Sequence, residues 1–124
     1  MINSRDINDL TPAFKTMAER WLEACASVDL EILITSTYRD DDYQNYLYSL
    51  GRTVKGDIVT NARGGESEHQ KRTALDFCVM HGNKCAWNDK DGFKRAGILA
   101  ESLGLKWAGR WAGKLKETSH IQQK

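Results

Sequence analysis

Thr73–Trp87 reads TALDFCVMHGNKCAW. Apart from Thr73 and Asp76, its first eight residues are apolar, and Ala74 through Met80 is the length of one strand. HGN is turn chemistry, and KCAW supplies a returning strand. The stretch is therefore a β-hairpin, and a hairpin commits its sheet to antiparallel pairing.

On the N-terminal side, Thr11-Pro12 has the form of an N-cap followed by proline at the first helical position. Phe14, Met17, Ala18, Trp21, Leu22 and Cys25 then recur at three- and four-residue spacing. That periodicity predicts an amphipathic helix over 11–27. EILITSTY (31–38) is rich in β-branched residues and reads as a buried strand. Asp40–Asp42 can cap a second helix, DDYQNYLYSL, which Gly51 ends. GRTVKGDIVTNARGGESEHQ (51–70) is polar and carries four glycines; irregular segments this long inside a small domain are often functional loops.

On the C-terminal side, FKRAGILAESLGL presents Phe93, Ala96, Leu99, Ala100 and Leu103 on one helical face and is closed by a glycine. WAGRWAGKLKETSHIQ (107–122) is aromatic and basic and ends in an expected edge strand. The order is helix, strand, helix, loop, hairpin, helix, strand, with no regular βαβ alternation. The fold class is α+β, a small antiparallel sheet flanked by helices.

The 124 residues form one expected domain, 1–124, large enough to bury a core without staples. A net charge of +1 gives no reason to expect nucleic acid or an anionic membrane as partner. No apolar run approaches the length of a membrane span, and MINSRDINDL has no apolar stretch of signal-peptide length. The three cysteines are an odd number, which argues against a disulfide scaffold and suits a reducing compartment. Cys78, His81 and Cys85 supply only three ligands at no common zinc spacing, so ordinary roles are expected for them.

The chemistry converges on the hairpin's first strand. Side chains alternate along a strand, so Leu75, Phe77 and Val79 share an apolar face and Asp76 points to the opposite one. A carboxylate in mid-strand needs a partner. One candidate is an arginine, which leaves His69 as a loop residue and His120 as a frayed terminal one. The other is a cation shared with imidazoles: two histidines and one carboxylate form a common catalytic zinc set with an open fourth position, and His69, Asp76 and His120 supply it. Glu117 lies three residues before His120, on the opposite face of an ideal strand, so joining one site requires Thr118-Ser119 to turn. It is then placed to act as a general base, as against a solvated carboxylate in KLKETS.

SEHQKRTALDF (67–77) resembles the SxHxxGxAxD signature of the M15 family of zinc peptidases, which share the fold of the D-alanyl-D-alanine carboxypeptidases and vancomycin-resistance peptidases. Further blocks follow in order: STYRDDDYQNYLYSLGRT resembles SGYRSxxxQ…LYxxGRT, DIVTNARGGESEH resembles IVTNAxGGxSxH, SLGLKWAGRW resembles SLGFxWGGxW, and ETSHIQ resembles (D/E)xPHFQ. They span Ser36 almost to the C-terminus and most resemble the phage-endolysin branch of L-alanyl-D-glutamate endopeptidases.

The resemblance implies one Zn2+ held by His69, Asp76 and His120, Glu117 as catalytic acid/base, and Arg39 polarising the scissile carbonyl and oxyanion. It puts Ser67 and Gln44 in support near the metal or substrate, and Trp107 and Trp111 near the groove, with core packing as the alternative for both tryptophans. The implied substrate is the peptidoglycan stem peptide, whose free carboxylates Arg39, Lys71 or Arg72 can recognise. A monomer without a separate wall-binding domain is expected, made in the cytoplasm and acting on the cell wall after holin-dependent release. Three residues depart from the family pattern: Arg72 and Thr37 stand where glycine is usual, and Ser119 stands where proline is usual. If the first glycine has positive φ, Arg72 is strained. Two alternatives stay open: a D-Ala-D-Ala carboxypeptidase or dipeptidase of the same family, and a non-catalytic, zinc-stabilised wall-binding module.

Overall fold

The computed structural model describes residues 1–124. The expected helices form. Pro12–Ser27 is α1, with the Thr11 hydroxyl accepting from the Phe14 N–H. Asp41–Ser49 is α2, capped by Asp40. Lys90–Ser102 is α3, and it starts three residues before Phe93 because Asp89 accepts from the Gly92 N–H and caps it there.

The strands are β1 (Ile32–Ser36), β2 (Ala74–His81), β3 (Lys84–Cys85), β4 (Lys106–Trp107) and β5 (His120–Gln122). The sheet is antiparallel in the order β1-β2-β5-β4, and β3 pairs with the far end of β2. This makes the fold α+β as expected. The C-terminal strand, expected at an edge, lies inside the sheet. Two-residue β4 covers it on the far side, and a strand that short leaves no periodic pattern to read. The returning strand of the hairpin is only Lys84–Cys85; the Ala86 N–H still donates to the Val79 carbonyl at 2.8 Å, and Trp87 lies outside the strand.

The face of β2 formed by Leu75, Phe77 and Val79 lies in the core. Trp21 of α1 meets Phe77 edge-on at 4.9 Å, and Phe93 of α3 sits at 5.5 Å from the same ring. The Trp21 indole N–H, which would otherwise be buried without a partner, donates to the Ala96 carbonyl at 2.9 Å and ties α1 to α3. Trp107 packs against the same core, and a Cβ at either Gly97 or Gly109 would run into its indole. No helix is long and apolar enough to cross a membrane.

Register positions the chemistry. Asp76 stands opposite Ser36 on β1 and opposite His120 on β5. Residues 36, 76 and 120 therefore form one row across three strands, on the side turned from α1 and α3. There the 51–70 segment and α2 close over the sheet, joined by the side chain of Gln44.

The expectation against a disulfide is overturned. Cys78 of β2 and Cys85 of β3 are joined, closing the hairpin across seven residues of sequence separation. The odd cysteine is Cys25, buried on the core face of α1, where burial pushes its thiol up to about 12. His81 takes no part in a metal cluster; it is exposed and meets the Asp89 carboxylate at 2.7 Å.

Candidate metal centre and groove

His69, Asp76 and His120 converge. Each offers one ligand atom, and these atoms lie within 4.8 Å of one another. Asp76 Oδ1 is 3.3 Å from His69 Nε2 and 2.9 Å from His120 Nδ1. For ligands about 2.0–2.1 Å from a tetrahedral ion, ligand-to-ligand spacing is about 3.3 Å, so the set has the right size for a small divalent cation.

The orientation of each ligand is held from behind. His69 is 2% exposed. Its Nδ1 lies 2.7 Å from the Thr37 carbonyl, which can only accept, so Nδ1 carries the hydrogen and Nε2 holds the lone pair. That Nε2 is buried and has no hydrogen-bond partner. His120, 6% exposed, places Nε2 2.9 Å from Gln122 Oε1, which orients the ring so that Nδ1 faces Asp76. Asp76 Oδ2 accepts from Arg39 Nη2 at 2.6 Å, leaving Oδ1 for the imidazoles. Such outer partners are what a metal-binding histidine or carboxylate requires. The arginine and cation readings of Asp76 are thus compatible: Oδ2 meets Arg39, and Oδ1 is left facing the two imidazoles.

Electrostatics follow from this packing. Burial alone would raise the Asp76 carboxyl, but the hydrogen bond and charge of His120 beside it outweigh this, holding Asp76 well below the usual carboxylate range. Burial alone would lower His120, but its hydrogen bond to Asp76 and the carboxylate's charge raise it above the usual imidazole range. Partial burial pushes the Glu117 carboxyl up, and negative Asp76 adds to this against the pull of His120, His69 and Arg39.

Glu117 reaches the cluster as the i to i+3 spacing required. Thr118-Ser119 forms a turn closed by the His120 N–H to the Glu117 carbonyl, although Ser119 replaces a turn-setting proline. Glu117 Oε2 comes to 3.7 Å from His120 Nδ1, on a side chain that is 46% exposed. A groove of about 700 Å³ runs over these groups. Arg39, Trp111 and Glu117 line it, and the Trp111 ring lies 5.8 Å from His120.

The supporting residues hold Arg39 and His69 in place. Fully buried Gln44 accepts from Arg39 Nη1 through Oε1 and donates through Nε2 to Thr60 Oγ1 and the Ala62 carbonyl. Ser67 Oγ accepts from the His69 N–H. Thr37, at a usual glycine position, is buried and donates its hydroxyl to the Asp6 carbonyl. Two expected groove residues lie elsewhere. Trp107 is in the core, its indole N–H bound to the Thr118 carbonyl, because Gly97 and Gly109 leave a slot for it there. Arg72 is turned from the groove, stacks 4.0 Å from the Tyr38 ring and donates to the Asp9 carbonyl, and its φ of 63° is the left-handed strain expected at that position.

Four contributors were not expected. Gln122 lies two residues from His120 on a strand, and strand alternation alone would have put it on the same face. Gln70 donates to Gln44 and to the Arg39 carbonyl. Asn3 accepts from Ser36 Oγ, which in turn accepts from Arg39 Nε; the N-terminal segment lies alongside residues 37–40, a pairing with no local sequence pattern.

Comparison with known proteins identifies the family and the fold. Residues 7–114 match the model of the VanY family, D-alanyl-D-alanine carboxypeptidase. The peptidoglycan L-alanyl-D-glutamate endopeptidase CwlK of Bacillus subtilis (strain 168) is 34% identical, over 93% of this chain and 74% of that protein. The L-alanyl-D-glutamate peptidase of Listeria phage A118 is 27% identical, over 94% of this chain and 39% of that protein. Among solved structures, the Serratia marcescens L-Ala D-Glu endopeptidase ChiX superposes with a TM-score of 0.73 at 15% identity, over 99% of this chain and 89% of that one. The vancomycin-resistance D,D-pentapeptidase VanY, as an E175A mutant with Zn(II), gives 0.66 at 13% identity, over 92% and 72%. These structures share the fold, and with the family match and the Bacillus relative, the chain belongs to the VanY family of D-alanyl-D-alanine carboxypeptidase-like proteins.

Proposed function

We propose that this chain is a zinc-dependent peptidoglycan endopeptidase that hydrolyses the L-Ala–D-Glu bond of the stem peptide. The observation that carries the reading is the lone pair of His69 Nε2, buried without a partner and directed at Asp76 and His120 beside an open groove. A buried polar atom is rarely left unpaired, and a cation at this position satisfies it. The substrate follows from the relatives named as L-alanyl-D-glutamate peptidases.

His69 Nε2, Asp76 Oδ1 and His120 Nδ1 would hold the ion. When bound, zinc supplies Lewis acidity, polarising the scissile carbonyl and making the attacking water easier to deprotonate. Glu117 then takes the proton from that water and gives it to the leaving amine, and its raised carboxyl suits both steps. Arg39 keeps unused N–H groups on Nη1 and Nη2 after its bonds to Gln44 and Asp76, and because Arg39 lines the groove they would stabilise negative charge on the carbonyl oxygen. Gln44 and Ser67 hold Arg39 and His69 in position, and Trp111 forms a groove wall. The Cys78–Cys85 disulfide supports action outside the cytoplasm, where disulfides persist.

The test is digestion of purified peptidoglycan by the zinc-loaded chain, read by mass spectrometry. New D-Glu amino termini are expected, with Glu117→Gln slower by a factor of about 10²–10⁴. Release of terminal D-Ala instead would assign the carboxypeptidase reaction. Equal inactivity of wild type and variant, with both still binding zinc and wall, would leave only a binding module.

A further inference from the structure

The groove does not end at the metal centre. A second cavity of about 470 Å³ continues from it, and both are lined by Lys114 and Glu117. The extension is cationic: Arg52, Lys114 and Lys116 line it, and Glu117 is its one carboxylate. None of the three cations lies in a salt bridge. Arg52 is fixed by neutral groups only, donating to the Tyr48 and Thr60 carbonyls at 2.6 and 3.1 Å and stacking 3.9 Å from the Tyr48 ring. Its position is therefore set while its charge stays uncompensated.

Chemistry fixes what reaches this end. If Glu117 protonates the leaving amine, the residue carrying that nitrogen lies on the Glu117 side of the site. In an L-Ala–γ-D-Glu peptide that residue is D-Glu, whose chain continues through the γ-carboxyl. Its α-carboxyl is left free, on the same carbon as the scissile nitrogen. A carboxylate two bonds from the atom that Glu117 serves falls where the cationic extension begins.

Resting on the endopeptidase reading, we propose that Lys114 and Lys116, backed by the fixed charge of Arg52, bind the free α-carboxylate of D-Glu, and that this end of the groove selects stem peptides with a free α-carboxylate over those in which it is amidated. The lysines supply charge-assisted hydrogen bonds to the acid; the amide accepts hydrogen bonds but carries no charge.

The experiment uses the full zinc-loaded chain and two synthetic peptides, L-Ala-γ-D-Glu-L-Lys with a free α-carboxylate and the same peptide as its α-carboxamide. Wild type is expected to show kcat/KM about tenfold higher for the acid, carried by KM and reduced by salt. In Lys114→Gln/Lys116→Gln the acid-to-amide ratio falls towards one, and Lys114→Arg/Lys116→Arg keeps it. A second readout is calorimetry of the product γ-D-Glu-L-Lys and its α-amide on the metal-free chain, with tighter binding of the acid expected. Equal cutting of both peptides by wild type, or an unchanged ratio in the glutamine variant, overturns this proposal alone. Cutting of neither peptide overturns the endopeptidase reading and this proposal with it.

Discussion

Arg72 is the sharpest test of how side chains are divided between scaffold and site. It holds a left-handed backbone, φ 63°, at the end of the turn that leads His69 into β2. For a residue with a Cβ this costs about 1–2 kcal/mol. Against it stand two side-chain contacts: the stack on Tyr38, worth about 0.5–1 kcal/mol at an exposed site, and the hydrogen bond to the Asp9 carbonyl, worth about 0.5–1.5 kcal/mol. Arg72→Ala loses both contacts and keeps the strain, so it should be destabilised by about 1–2.5 kcal/mol. Arg72→Gly loses the same contacts and sheds the strain, offset by about 0.4–1 kcal/mol for the freer unfolded chain. It should therefore lie about 0.5–1 kcal/mol above the alanine variant. Chemical denaturation of the three proteins under one set of conditions measures both differences. Because the side chain faces the N-terminal segment and not the groove, kcat/KM should stay within about twofold of wild type in both variants, small beside the roughly tenfold per 1.4 kcal/mol of a lost substrate contact. Equal stability of the alanine and glycine variants would refute the strain. A several-fold rise in KM with unchanged stability would show that Arg72 reaches substrate.

Two further outcomes follow. Zinc at about a hundred times its Kd should stabilise the chain by about 2.7 kcal/mol in a thermal-shift assay. At a fixed zinc concentration the gain should grow as pH rises, because zinc must displace the proton that His120 holds above the usual imidazole range; without metal the sign reverses, since the stability from protonated His120 is fully present below its unfolded value and is lost as pH rises through the raised one. A zinc shift of the same size in His69→Ala would remove the cluster as its source. Reducing Cys78–Cys85, which closes a short loop, should cost about 2.5 kcal/mol by chain entropy, and thiol titration of the native oxidised chain should find buried Cys25 unreactive; rapid modification of two or more thiols without reductant would show that the pair is open.

What the sequence disclosed follows the range of each physical signal. The helices were legible because a buried stripe recurs every three or four residues and because Thr11 and Asp40 leave capping marks within four residues of what they cap; the mark at Asp89 went unread, and α3 begins three residues earlier than its apolar stripe. β4 was not, since two residues hold no period, and without β4 the last strand looked like an edge. Cysteine parity misled because it counts thiols and not places: Cys25 is sealed in the core, which leaves an even pair in the hairpin. The site shows the same division. Strand alternation turned Asp76 away from the core, but its meeting with His120 depends on the register between β2 and β5, which no local pattern encodes. Nor does any local pattern show that the carboxylate has two separate duties. Arg39 on Oδ2 removes one oxygen from competition and fixes the plane of the group, which aims Oδ1 at both imidazoles. Gln44 and Ser36 in turn fix Arg39, and Asn3 fixes Ser36. The aim of one carboxylate oxygen at the two imidazoles thus rests on a chain of neutral and charged hydrogen bonds that runs back to the N-terminal segment, so a change at Asn3, far from any motif, acts on Asp76 through Ser36 and Arg39.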